Sequence, residues 1–329
     1  MQDFRKKVKK RCRSILFFLL LLFLLSGTSK GITELSKRDD NLIQSRNKSI
    51  IKIQKEPEDT IDVLFLGDSL AYTSFSPMQM WSDHGFTSFV GSQAGQKIQE
   101  SYSMLRTALE KQNPKVVVLE TNVLFREMKG FDGIRDVLAE KGTYYFPVFR
   151  FHDIWKPLLM GTQYKEENFK GFMIRDIVSP YEGKDYMQEN KEKHPISDLV
   201  QEYLQEIRNL CSEHGASLLL VSTPSPVNYN YKKYNALKEY GQENQLAYVD
   251  LNLKTEELGI DWKLDSLDKG DHLNLTGAMK VTAYIGNYLK NHYPLTDHRE
   301  DSRYNAWEKE ASQYREKAEK KMEVMKKKW

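Results

Sequence analysis

Cysteine is nearly absent from this chain. Its 329 residues include two, Cys12 beside an N-terminal apolar run and Cys211 in the body. No disulfide framework is expected, and a chain of this length needs none. No cysteine pair and no His-rich spacing marks a structural zinc site. A strong net charge is missing too. At +3 the balance makes no case for nucleic acid, and no nucleic-acid partner is expected. The positive charge gathers instead at the two ends. Also absent is an unbroken apolar run of the ~20 residues that a spanning helix needs. What the chain does have is ordinary for a globular protein, with 40% hydrophobic and 29% charged residues. It is long enough for one large α/β domain with appendages or for two small domains, and for a substantial core.

The N-terminus points to the compartment. Residues 5–13 read RKKVKKRCR, and residues 15–25 read ILFFLLLLFLL. A basic segment before an apolar run is an export signal whose N-terminus is held inside by its charge. Eleven apolar residues in a row would leave a core helix without a polar face. The shortness of the run favours a cleavable signal peptide. Ser26-Gly27-Thr28 allows cleavage but is no clean small-x-small site. Residues 1–27 are therefore a signal-anchor or a signal peptide. Either outcome puts the body outside the cytoplasm, on a single-pass anchor in the cell membrane or secreted. Residues 28–60, polar and lysine-rich, are expected to be a spacer between membrane and domain.

Five aliphatic or β-branched runs bounded by turn signals predict buried strands: 61–66 (IDVLFL), 87–91 (TSFVG), 116–120 (VVVLE), 217–222 (SLLLVS) and 246–251 (LAYVDL). Helical patterns separate them at 97–111, 196–215, 231–245 and 275–292. Strand and helix in alternation imply a parallel sheet covered on both faces. The main domain is expected over 61–295. Residues 124–195, rich in Tyr, Phe, Trp, Lys and Glu, break the rhythm and predict a long insertion after the third strand. Its aromatic cluster (Tyr144, Tyr145, Phe146, Phe149, Phe151, Trp155) is expected mainly to pack the insertion on the sheet. A sugar-stacking platform is the alternative. His152 beside Asp153 is expected to make a structural hydrogen bond. The charged tail over 296–329 predicts a solvated C-terminal helix, with a surface-binding or partner helix as the alternative.

Two motifs carry chemistry. Gly67-Asp68-Ser69-Leu70 directly follows the first strand, and ligands bind at the carboxyl ends of parallel strands. Gly67 permits a tight turn, and Ser69 falls at a helix start where free N–H groups gather. Asp271-His272-Leu273-Asn274 follows the last strand and precedes a helix. A serine hydroxyl needs a base to accept its proton, and a carboxylate must hold that base in the right tautomer. Asp268 and Asp271 both stand near enough in sequence to do so. Thr223-Pro224-Ser225-Pro226, after the fourth strand, predicts a rigid loop at the same edge.

These residues resemble the SGNH hydrolase superfamily, also called the GDSL esterases and lipases. Gly67-Asp68-Ser69-Leu70 matches its first block, with Ser69 as the implied nucleophile. Gly95 stands at the second-block glycine and Asn122, in Glu120-Thr121-Asn122, at the third-block asparagine. His272 matches the fifth-block histidine. The resemblance covers roughly residues 60–126 and 196–290. It implies a flavodoxin-like three-layer α/β/α sandwich with a five-stranded parallel sheet. It also implies an oxyanion hole of Ser69, Gly95 and Asn122. There are two departures. Glu120 replaces the third-block glycine, with Val123 after Asn122. The usual Asp-x-x-His spacing would put aspartate at Lys269. Asp268 is favoured as the third member, reached with one extra loop residue, and Asp271 is the alternative.

The departures resemble membrane-anchored SGNH proteins of Gram-positive bacteria, relatives of the teichoic-acid D-alanylation and polysaccharide O-acetylation proteins. The implied activity is a serine-dependent acyl-ester hydrolase or acyltransferase with no cofactor and no metal. The implied partners are a cell-envelope glycan or teichoic-acid-like polymer and a membrane O-acyltransferase. The alternative is a non-catalytic scaffold that keeps the fold and binds such a partner.

Overall fold

The computed structural model describes residues 2–166 and 168–327. Residues 1, 328 and 329, the extremes of the expected N-terminal signal and C-terminal helix, lie outside the described residues. The aliphatic runs form β1 (Val63–Gly67), β2 (Ser88–Ser92), β3 (Val116–Glu120), β4 (Ser217–Ser222) and β5 (Ala247–Asp250). All pair in parallel in the order β2-β1-β3-β4-β5. Successive side chains alternate between the faces of a sheet. Leu64, Leu66, Val117, Leu119 and Leu220 join one core, while Val63, Phe65, Val116, Val118 and Val221 join the other. Neither face meets water, so both parities of each strand are apolar.

The helices in chain order are α1 (Gln2–Arg38), α2 (Lys48–Lys55), α3 (Ser69–Ser74), α4 (Pro77–His84), α5 (Ile98–Leu109), α6 (Gly130–Tyr145), α7 (Pro147–Arg150), α8 (Trp155–Met160), α9 (Asp198–Glu213), α10 (Tyr231–Asn244), α11 (Leu275–His292) and α12 (Asn305–Lys326). α2, α5 and α9 cover the first face through Ile51, Leu105 and Leu204. α3, α4 and α11 cover the second through Ala71, Met80 and Val281. The result is the three-layer α/β/α sandwich that the strand and helix alternation implies. α6, α7, α8 and irregular chain make up most of the insertion over 124–195.

Two expectations are corrected. Residues 28–60 do not form a free spacer. α1 runs unbroken through the apolar run to Arg38, and Ser29 and Ser36 are buried against the body. α2 then buries Ile50, Ile51 and Ile53. Its lysines mask this amphipathic pattern, because Lys48 itself is buried, its ammonium donating to the Tyr164 carbonyl. Burial lowers the pKa of Lys48 and of Lys52. The C-terminal helix is not solvated all round either. Trp307, Ala311, Tyr314, Ala318 and Met325 are buried along α12, which packs on α4. The Trp81 ring lies 5.7 Å from that of Trp307, and the Trp81 indole N–H donates to Glu308 at 2.9 Å.

α12 therefore belongs to the core. Trp307→Ala should cost about 3–5 kcal/mol by opening a cavity there. Lys320→Ala, on the outward face, should leave the Tm unchanged. Thermal unfolding of the two variants checks this, and equal Tm values would show that α12 is only an appendage.

Candidate active site

The topology selects one crevice. The chain leaves β1 for β2 on one side, and β3 follows β1 on the other. In open parallel sheets ligands bind beyond the carboxyl ends of the strands at such a switch point. Ser69 follows β1 there, and Asn122 follows β3. Gly67 makes the approach possible. A Cβ at this position would lie 2.7 Å from the Cβ of Glu120 and 2.8 Å from that of Ala71.

Asp68 caps α3, its Oδ1 accepting from the Leu70 N–H at 3.0 Å. It is fully buried. Its Oδ2 accepts from the Asn122 side-chain amide at 2.8 Å and from Arg126 Nε at 2.8 Å, with a second guanidinium bond from Nη2. One carboxylate thus joins the serine helix to the segment after β3. Ser69 is the first residue of α3 and is half-buried. No hydrogen bond occupies its own N–H among the described residues.

His272 meets Ser69 from the other side of the crevice. Its Nε2 lies 2.8 Å from Ser69 Oγ, and its Nδ1 lies 2.7 Å from Asp268 Oδ2. Asp268 Oδ1 also accepts from the His272 backbone N–H at 2.7 Å. With the proton on Nδ1 held by Asp268, Nε2 accepts from the serine hydroxyl, the tautomer a general base needs. The loop explains the unusual spacing. Ser266 and Leu273 bridge in antiparallel fashion, and Leu267 N–H donates to the His272 carbonyl at 2.9 Å. Lys269 and Gly270 take φ of 60° and 90°, which turns the chain so that Asp268 folds back on His272. Asp271 Oδ1 is 3.6 Å from His272 Nδ1 and accepts from the Asn228 amide instead. The carboxylates of Asp268 and Asp271 and the His272 imidazole are close enough to share a cation. The hydrogen bonds above already account for that proximity.

The remaining predicted positions differ in how far they reach the centre. Asn122 is tied to Asp68 beside Ser69. Gly95, at φ 63°, lies beyond β2 on the same edge and is exposed. Among the described residues no hydrogen bond joins it to Ser69 or His272, and its N–H has no acceptor. Asn274 caps α11, accepting from the Thr276 and Gly277 N–H groups. Ser225, in the loop after β4, donates to the Asp271 carbonyl at 2.7 Å, and Thr223 donates to Glu120 at 3.2 Å. The aromatic cluster divides. Phe151 is buried and Tyr144 lies under the Arg106 guanidinium, whereas Tyr145, Phe149 and Trp155 are exposed. His152 Nδ1 is bonded to the Phe149 carbonyl at 2.8 Å.

Three groups were not legible as site residues. Arg126 sits four residues past Asn122 in an otherwise apolar stretch, and only the fold shows that it neutralises Asp68. Lys233, on α10, donates to the Asn228 carbonyl at 2.6 Å. Burial lowers its pKa, partly offset by the negative field of Glu120 and Asp68. Residues 173–175 of the insertion strap the two halves together: Met173 N–H donates to the Tyr72 carbonyl at 3.0 Å, and Leu275 N–H donates to the Arg175 carbonyl at 2.7 Å. Tyr72 and Arg175 line a cavity of about 130 Å³ together with Gln93.

No family model matches the chain, and no curated protein matches it. Solved structures to which the chain is similar include a GDSL-like lipase from Bacteroides thetaiotaomicron. It is 12% identical at a TM-score of 0.38, over 75% of this chain and 98% of that one. A lipase/acylhydrolase from Enterococcus faecalis is 12% identical at 0.38, over 72% and 99%. TesA is 15% identical at 0.37, over 70% and 98%.

Glu120 gives the site a pH signature. Burial, and then the nearby Asp68 charge, push its carboxyl from 4.5 up to about 8. The folded state therefore holds this proton more tightly than the unfolded chain. Stability from this group is full below about pH 4 and is lost as pH rises through about 8. Glu120→Gln keeps the shape without the titration. The Tm of the native chain should fall between pH 5 and pH 8 more steeply than that of the variant, and parallel profiles would contradict the assignment.

Proposed function

We propose that this protein is an extracytoplasmic, serine-dependent acyl-ester enzyme, a hydrolase or acyltransferase acting on a cell-envelope polysaccharide or teichoic-acid-like polymer. The observation that carries the chemistry is the unbroken line Ser69 Oγ, His272 Nε2, His272 Nδ1, Asp268 Oδ2, with separations of 2.8 and 2.7 Å. A hydroxyl, a base and an orienting carboxylate in that order are the parts of nucleophilic acyl transfer.

In this reading Ser69 attacks an ester carbonyl while His272 takes its proton. Asp268 holds the imidazole and stabilises its charged form. The Ser69 and Gly95 N–H groups and the Asn122 amide receive the oxyanion, each donor contributing ~10²–10³ in rate. His272 returns the proton to the leaving alcohol, leaving an acyl-serine. Water then completes hydrolysis, and a sugar or polyol hydroxyl completes transfer. Both ends share one acyl-enzyme.

The compartment reading rests on α1. It is long and apolar enough to cross a membrane, with the basic residues 5–13 ahead of the apolar stretch. The segment where α1 leaves the body is exposed along its length. We take α1 as a single-pass anchor with the sandwich outside. The polymer class, and a membrane O-acyltransferase as partner, follow from that location and from the resemblance to membrane-anchored SGNH proteins.

Turnover of activated acetyl esters by the full chain in detergent tests the reading. Ser69→Ala should abolish it. Asp268→Asn should lower kcat by about 10²–10⁴, the range for a triad carboxylate. Asp271→Asn should fall within a few-fold of the parent. Unchanged turnover in Ser69→Ala would remove Ser69 from the chemistry. A chain inert in every form would leave the scaffold reading.

A further inference from the structure

α6 carries an exposed apolar stripe whose last member, Tyr145, stands beside the Arg106 guanidinium, which lies 5.8 Å from its ring. Phe131 is 81% exposed, Ile134 57%, Leu138 64% and Tyr145 61%. At ~100° per residue these four positions fall within about 60° of one another on the helix, so they form one face. Monomer surfaces scatter single apolar residues, but Phe131, Ile134 and Leu138, at i, i+3 and i+7, adjoin one another as a patch that marks an interaction surface. The acids of α6 are each matched by a cation: Asp132 by Arg135, Asp136 by Lys97, and Glu140 by Arg150. No bare negative charge flanks the stripe to oppose an anionic surface.

The neighbouring elements identify the occupant. The stripe ends at Tyr145, and α7 follows at once. α7 packs on α1 where Val148 N–H donates to Ser29 Oγ at 3.2 Å. Ser29 is buried, whereas Ile15 to Leu24 are exposed, so α1 leaves the body where its apolar run ends. Between Arg13 and Lys30 the helix has sixteen uncharged residues. At ~1.5 Å each they span about 24 Å, short of the ~30 Å hydrocarbon core. A short span thins the bilayer or draws the flanking groups into its surface. Here the flanking groups are α7, with Phe149 exposed, and the end of α6.

We propose that α6 lies in the outer surface of the membrane, with Phe131, Ile134 and Leu138 immersed among the lipids. This rests on the reading of α1 as a membrane anchor. The arrangement is that of an interfacial amphipathic helix, held in place by a spanning one. It also fixes the height of the site. Arg126, bonded to Asp68, is four residues from Gly130, at most ~14 Å of extended chain. Ser69 then works close to the lipid surface. Its acyl donor or acceptor is delivered there, at the membrane surface rather than from free solution.

Nitroxide labels on the full chain in vesicles of phosphatidylethanolamine and phosphatidylglycerol test this. In a Cys12→Ser background, with Cys211 buried, single cysteines are introduced as Ile134→Cys, Leu20→Cys and Glu243→Cys. Glu243 lies on α10, which packs on the edge strand β5. Collision with lipid-soluble oxygen, relative to a water-soluble nickel complex, should be several-fold greater at Ile134 than at Glu243, and greatest at Leu20. A lipid-exposed Leu20 with Ile134 as aqueous as Glu243 would overturn the α6 proposal alone and assign the stripe to a protein partner. An aqueous Leu20 would overturn the anchor and the proposal with it.

Discussion

The buried carboxylate of Asp68 is the constraint on which the rest of the site depends. An ionised group without water is costly unless every lone pair finds a donor. Here the donors are the Leu70 N–H, the Asn122 amide and the Arg126 guanidinium. Meeting that requirement sets the start of α3, and so where Ser69 stands. It also turns the Asn122 side chain toward β1 and folds the segment after β3 inward. Gly67 is the companion condition, since any side chain there would strike Glu120 and Ala71. The serine is positioned by a capped turn that two strands and an arginine hold in place.

The histidine is positioned by a different device. The hairpin over residues 266–273 lets Asp268 grip both the backbone and the imidazole of His272. Two positive-φ residues absorb the extra residue in the spacing. Asp271, nearer in sequence, is drawn away by Asn228 and by Ser225 at its carbonyl. The strap at residues 173–175 then joins the serine helix to the start of α11. The insertion therefore ties α3 to α11 as well as supplying surface.

The sheet was legible because both of its faces are buried. Uninterrupted runs such as VVVLE and SLLLVS have no other stable home in a chain of this size. Boundaries shifted by one or two residues, as helix and strand ends do. That Ser69, His272 and Asp268 come together was legible through motif and topology. Arg126 and Lys233 were not, because their meaning depends on a buried carboxyl pair that local sequence does not display. The burial of residues 28–60 and of the C-terminal helix was not legible for a related reason. Lysine-rich composition suggests solvent, yet α2 and α12 each bury one apolar face.

Whether Ser69 is an activated nucleophile is read most directly from reaction of the full chain with a fluorophosphonate, with the adduct located by peptide mass spectrometry. One phosphonyl group per chain is expected, on Ser69, lost when His272 is replaced by alanine. A chain that stays unmodified, or one modified equally well without His272, would contradict it.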